Sequence, residues 1–182
     1  MDLSPGNLYI ALSARNIEGS YVSFPFEQTS SLPKNTKTYK HWGLIQPTSR
    51  PSTSGIYHHA TISSATNGKW LAQTIAQPLP MTERALILIW RVGPISATQE
   101  RFEEIMASIP ADGEPSARTG KDFNCRTWMF DVLAKLEVEG GLKLGVEIDE
   151  IEKKAIEHAH SVENDVVAGK RGPLVMNDDI RA

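Results

Sequence analysis

The sequence contains a single cysteine, Cys125, among its 182 residues. One cysteine excludes an intramolecular disulfide and a zinc site built from several thiolates. It also favours a reducing compartment, because secreted proteins rarely keep one free thiol. The N-terminal stretch has no basic region ahead of its short apolar run, Leu8 to Leu12, so it does not fit the pattern of a secretory leader. We therefore expect a cytoplasmic protein.

The chain also has little of what nucleic acids and membranes require. No stretch approaches the ~20 consecutive apolar residues of a membrane span, so we expect no integral membrane segment. The formal net charge is −3, and the basic residues are scattered apart from the spaced trio Lys34, Lys37 and Lys40. A nucleic-acid surface needs a basic stripe or patch, so we expect no nucleic-acid partner.

With 40% hydrophobic and 23% charged residues, the composition is that of a globular protein. At about 100–200 residues per domain, the length predicts one domain. We place this domain at residues 1–166, with polar loops rich in Ser, Thr, Pro and Gly at 16–37 and 46–55. Residues 167–182 are expected to form a loosely ordered tail.

Five segments with strand-like patterns precede three segments with helical periodicity. The strands are expected at residues 8–12, 39–45, 56–62, 70–75 and 84–92, and the helices at 98–109, 125–139 and 148–164. The strand at 84–92 is almost wholly apolar between charged ends, which predicts burial on both faces. Strands first and helices afterwards indicate an α+β fold, an antiparallel sheet packed against helices.

Cys125 stands at the start of the second predicted helix, directly after Asn124, which is a good N-cap residue. The N–H groups and the dipole at a helix N-terminus favour thiolate over thiol. The same N–H groups can hold the oxyanion that forms when a carbonyl is attacked. The position therefore suits a nucleophilic cysteine, and the alternative is a buried, inert thiol that packs as a small hydrophobic residue.

A cysteine nucleophile needs a base, and two successive predicted strands carry histidines. His41 lies on the first, and His58 and His59 lie on the next. His58 shares its strand face with the apolar residues Ile56 and Ala60, so we expect His58 to face the covering helix and to orient His41. A bulge would shift the register and select His59 instead. Each of these rings could equally be a hydrogen-bonded core histidine.

Two short segments resemble the His-Trp-Ala and Asn-Cys-Glu-His motifs of permuted papain-like thiol enzymes. They are Lys40-His41-Trp42-Gly43 and Phe123-Asn124-Cys125-Arg126. The most similar subgroup is lecithin:retinol acyltransferase and its phospholipid acyltransferase relatives, which are cousins of the NlpC-type peptidases. The sequence also resembles short fungal proteins with the same two motifs. The resemblance spans about residues 8–138 and implies a permuted papain-like fold, with the order His, polar residue, Cys.

These observations together predict cysteine-dependent hydrolysis or transfer of an acyl group from an ester, thioester or amide. Cys125 would be the nucleophile, His41 its base and His58 the orienting residue. Asn124 and Arg126 would position the oxyanion, and Trp42 and Trp128 would contact the substrate, although tryptophans are more often plain core. We expect no cofactor and no metal. A non-catalytic binding module and a biosynthetic cyclase or isomerase are the alternatives, and the oligomeric state is left open.

Overall fold

The computed structural model describes residues 3–14, 40–51, 54–62, 67–78 and 86–177. Its elements follow the order that the sequence predicts, strands before helices. They are β1 (Asn7–Ala14), β2 (Lys40–Pro47), β3 (Ser54–Ile62), β4 (Trp70–Pro78), β5 (Leu86–Pro94), α1 (Gln99–Ala107), α2 (Cys125–Val138), α3 (Ile148–Val167) and β6 (Leu174–Met176).

The six strands form one sheet in the order β4-β3-β2-β1-β5-β6. All neighbouring strands run antiparallel except β5 and β6, which are parallel. The α+β class predicted from the sequence is therefore confirmed. Because β1 pairs with both β2 and β5, the first strand of the chain becomes a central strand of the sheet.

The three helices pack with one face of this sheet. Leu8, Ile10 and Leu12 of β1 belong to the large core cluster that includes the helices, whereas Tyr9 and Ala11 belong to a smaller cluster on the opposite face. This division follows from strand geometry, since successive side chains point to opposite faces. Strand β5 is buried on both faces from Leu86 to Trp90, as its apolar composition predicts.

Local signals account for the helix ends. The Thr98 side chain accepts a hydrogen bond from the Arg101 N–H at the start of α1. Helix α2 is followed by Gly140, whose φ of 72° is a left-handed conformation that glycine adopts without steric cost. Both boundaries agree with the sequence prediction.

The structure differs from two predicted boundaries and does not describe a third predicted segment. The connection predicted at 46–55 is shorter, because β2 continues through Pro47 and β3 begins at Ser54. The tail predicted from residue 167 contains β6, which pairs with β5, so its description as loosely ordered is wrong for residues 174–176. The loop predicted at 16–37 lies outside the described residues.

Candidate functional site

Cys125 is the first residue of α2, and Asn124 is its N-cap, as predicted. Asn124 has an extended backbone, and its Oδ1 accepts hydrogen bonds of 3.0 Å from the N–H groups of both Arg126 and Thr127. The Thr127 hydroxyl donates to the Asp122 carbonyl at 3.1 Å, which fixes the chain on the approach to the helix. The thiol side chain is only 2% exposed and packs in the core cluster that includes the helices.

Replacing Asn124 with alanine is expected to lower the free energy of unfolding by about 1 kcal/mol, because two helix-start N–H groups lose their acceptor. Asn124→Asp should retain most of the stability, since a carboxylate caps as well as an amide. Urea unfolding of both variants beside the parent protein measures the difference. An Asn124→Ala variant as stable as the parent protein would mean that the side-chain cap contributes little.

The same cap bears on the oxyanion role predicted for this helix start. Asn124 Oδ1 already accepts from the N–H groups of Arg126 and Thr127, so a substrate oxyanion would have to displace the amide oxygen to reach them. The Arg126 side chain forms an ion pair with Glu152 of α3, 3.1 Å between Nη1 and Oε1. Arg126 therefore joins two helices through this ion pair, and a role beside an oxyanion stays a prediction.

His41 and His59 form a hydrogen-bonded pair on neighbouring strands. The distance between His41 Nε2 and His59 Nδ1 is 2.6 Å, and the two rings meet edge to face with their centroids 4.9 Å apart. The prediction that His58 orients His41 is therefore wrong in this structure, and His59 holds that position.

Strand alternation explains why His59 is chosen. Trp42 lies on the face of β2 that packs against α2, where its ring is 5.4 Å from the ring of Phe130. Its neighbour His41 therefore points to the opposite face, the face that carries Tyr57 and His59. His58 does face a helix, as predicted, but His41 does not share that face.

Gly43 leaves space for the Tyr57 ring on the sheet face that carries His41 and His59. A Cβ atom at this position would lie 2.5 Å from Cε2 of Tyr57, which is closer than real Cβ contacts. The absent side chain lets the Tyr57 ring lie over β2, where its centroid is 4.7 Å from that of His59. Gly43 and Tyr57 thus set the packing around the histidine pair, and the sequence prediction gave neither residue a role.

His58 is buried on the helix side of the sheet. Its Nδ1 is 3.0 Å from the Thr74 hydroxyl, and its ring lies 5.6 Å from that of Phe102 on α1. Its Nε2 has no hydrogen-bond partner among the described residues. Burial lowers the pKa of His58 to about 4, although Glu103 opposes the shift. His58 is therefore a neutral core histidine, which the sequence analysis gave as the alternative to a catalytic role.

Burial also lowers the pKa of His59 to about 4, with a smaller opposing contribution from a hydrogen bond to Gln73. Near neutral pH the ring of His59 is uncharged, so its Nδ1 can accept a hydrogen bond from the Nε2–H group of His41. In that arrangement the second nitrogen of His41, Nδ1, is the atom that would act as a base. The tautomers are assigned from this hydrogen bond.

The two tryptophans predicted to contact substrate are core residues. Trp42 is 3% exposed and packs on Phe130. The Trp128 ring is also buried, and its Nε1 donates to the Ile109 carbonyl at 3.2 Å. One part of Trp128 lines a cavity beside α2, so of the two only Trp128 can contact a bound molecule.

Comparison with known proteins matches the chain to a family of unknown function, DUF6540, over residues 29–143. No curated protein and no solved structure matches. Within the described ranges, no helix is both long and apolar enough to cross a bilayer. The same residues contain no group of three or more His, Cys, Asp and Glu side chains placed to hold a metal ion.

Proposed function

The chain belongs to the DUF6540 family, and we propose that it catalyses cysteine-dependent transfer or hydrolysis of an acyl group from an ester, thioester or amide. The observation that carries the proposal is the 2.6 Å hydrogen bond between His41 and His59. It supplies a base and its orienting residue on successive strands, in the chain order that the resemblance to permuted papain-like thiol enzymes implies. The region matched to the family includes both histidines and Cys125.

In the proposed mechanism, His41 Nδ1 takes the proton from the Cys125 thiol while Nε2 donates to His59 Nδ1. The thiolate attacks the carbonyl carbon, and the leaving group departs with the proton held by His41. An acyl-enzyme results, with the acyl group on sulfur. Water or another nucleophile then attacks it and gives its proton to His41, which restores the thiol.

The mechanism makes one specific demand on the fold. Alternation along β2 directs Trp42 at α2 and His41 to the opposite face of the sheet. The proposed proton transfer therefore requires the His41 imidazole to reach the Cys125 thiol around the end of the sheet where β2 starts. His41 is the second residue of that strand, and α2 packs on β2 and β3. A cysteine–histidine contact at this end of the sheet is the feature that the experiment must detect.

Alkylation of the thiol tests this contact directly. Because Cys125 is the only cysteine, intact-mass spectrometry reports its reaction with iodoacetamide without ambiguity. We expect reaction at a pH well below the ~8.5 pKa of a free thiol. His41→Gln should abolish this low-pH reactivity, and His59→Gln should weaken it. His58→Gln is the comparison variant, since His58 lies beside His59 on β3 but faces the helices, the side on which Cys125 packs.

Incubation with a mixture of acyl thioesters and aryl esters then tests turnover. A mass increase on Cys125 in the parent protein, absent from Cys125→Ala, would identify the acyl class. Loss of His41 should lower the acylation rate by about 10²–10⁴-fold, the usual contribution of a positioned general base. Analysis of the products separates hydrolysis or transfer from a cyclisation or isomerisation that uses the same pair. A native thiol that alkylates only after denaturation would rule the proposal out.

A non-catalytic binding module is the second candidate, and the burial of Cys125 at 2% exposure favours it. A thiol this enclosed packs as a small hydrophobic residue and reacts slowly. For this candidate the thiol stays unreactive in the native protein at every pH, and His41→Gln changes nothing. The alkylation experiment therefore assigns the chain to one function or the other.

A further inference from the structure

A cavity of about 430 Å³ lies between α2 and the segment that follows α1. This volume is within the range of about 300–1,000 Å³ typical of small-molecule sites. Its surface is mostly apolar, and none of it comes from Cys125, His41 or His59. The apolar walls include Ile109, Pro110, Phe123, Trp128, Ala134 and Val138.

Hydrogen bonds hold the two sides of the cavity in place. Trp128 Nε1 donates to the Ile109 carbonyl at 3.2 Å. On the other side, the Ser116 hydroxyl and Arg118 Nε both donate to Asp131 Oδ1, at 2.9 Å and 3.0 Å. These contacts tie the connecting segment to α2 at both ends. The cavity is therefore formed before any ligand enters, which reduces the entropic cost of binding.

The charges around the cavity are unequal. Both cationic side chains that line it are compensated, Arg118 by Asp131 and Lys135 by Glu139. Asp112 and Glu114 also line the cavity, and neither forms an ion pair among the described residues. Within the part of the chain that the structure describes, Asp112 accepts only the Glu114 backbone N–H of its own turn. The opening is therefore an apolar surface with two uncompensated carboxylates beside it.

We propose that this cavity binds a small organic cation with a flat apolar body, such as an arylalkyl ammonium compound. The apolar walls take the ring system, with the half-buried Phe123 as the aromatic surface and the edge of the buried Trp128 behind it. The carboxylates of Asp112 and Glu114 attract the ammonium group. The site is separate from the histidine pair, so this inference stands whether or not Cys125 is catalytic.

Three probes that share one ring system test the proposal: naphthylmethylammonium, naphthylmethanol and naphthylacetate, which are cationic, neutral and anionic. Calorimetric titration into the full-length protein should show saturable binding that is tightest for the cation and weakest for the anion. The double variant Asp112→Asn, Glu114→Gln should weaken cation binding by about 3- to 10-fold and leave the neutral probe unchanged. Glu100→Gln, an exposed carboxylate on α1, is the matched control.

Two further variants test the location. Ala134→Trp should fill the cavity and weaken all three probes by at least about 10-fold. Val138 is 83% exposed at the cavity, so Val138→Arg leaves the fold intact and should repel the cation alone. The proposal would be overturned if no probe bound saturably, or if the cation and the anion bound equally well. It would also be overturned if Val138→Arg and a folded Ala134→Trp both bound the cation as tightly as the parent protein does.

Discussion

The free energy of unfolding is expected to fall as the pH drops from about 6.5 to about 4, by up to about 3 kcal/mol for each of two buried histidines. Burial lowers the pKa of His58 and of His59 to about 4 in the folded protein, from an ordinary value of 6.5. The unfolded chain therefore binds protons in this interval that the folded protein does not. Stability is lost across the interval, and these two rings contribute no further loss below pH 4.

Urea unfolding at pH 7 and at pH 4.5 measures this dependence, and variants assign it. His58→Leu should remove the part due to His58, because leucine keeps an apolar contact with Phe102 and binds no proton. His160→Leu is the control, since His160 is exposed on α3 and stays in water in both states. A parent protein that is equally stable at the two pH values would show that neither ring is held neutral.

The variant Trp42→Ala is expected to lose about 3–5 kcal/mol of unfolding free energy, the usual cost of deleting a buried aromatic side chain. Trp42 is 3% exposed and contacts Phe130, so it joins β2 to the helix that begins at Cys125. The loss includes both the transfer of the ring to water and the cavity that remains. Thermal or urea unfolding gives the value.

Trp42→Phe is the matched variant, because it keeps an aromatic ring beside Phe130 and should cost much less. This comparison also tests the facing of β2 on which the pairing of His41 with His59 depends. If Trp42→Ala were as stable as the parent and only lost affinity for a substrate, Trp42 would face a binding site. In that case His41 would lie on the helix side of the sheet.

The sequence predicted those features that have short-range causes. Asn124 before Cys125 marks a helix start because its side chain can accept from the next N–H groups, and it does so here. The apolar segment at Leu86–Trp90 indicates a strand buried on both faces, which the position of β5 confirms. Chain order, with strands before helices, was sufficient for the α+β class.

The choice between His58 and His59 needed information from a second strand. Alternation along β3 assigned His58 to the helix side correctly, but the partner of His41 depends on the facing of β2 as well. That signal was present, because Trp42 and Leu44 form the larger apolar face of β2 and leave His41 and Gly43 on the other. Strand β6 gave no usable pattern, since three residues are too few to show a period.

The pairing of β6 with β5 has a consequence for how the chain tolerates change at its C-terminal side. Strand β5 is the most apolar strand of the sheet, and Leu174 to Met176 pair with it along Leu88 to Trp90. Without these three residues its backbone N–H and C=O groups would form an open edge, which is a template for intermolecular association. Resistance to aggregation is therefore expected to depend on β6, and removing Leu174 to Met176 alone would expose this edge of β5.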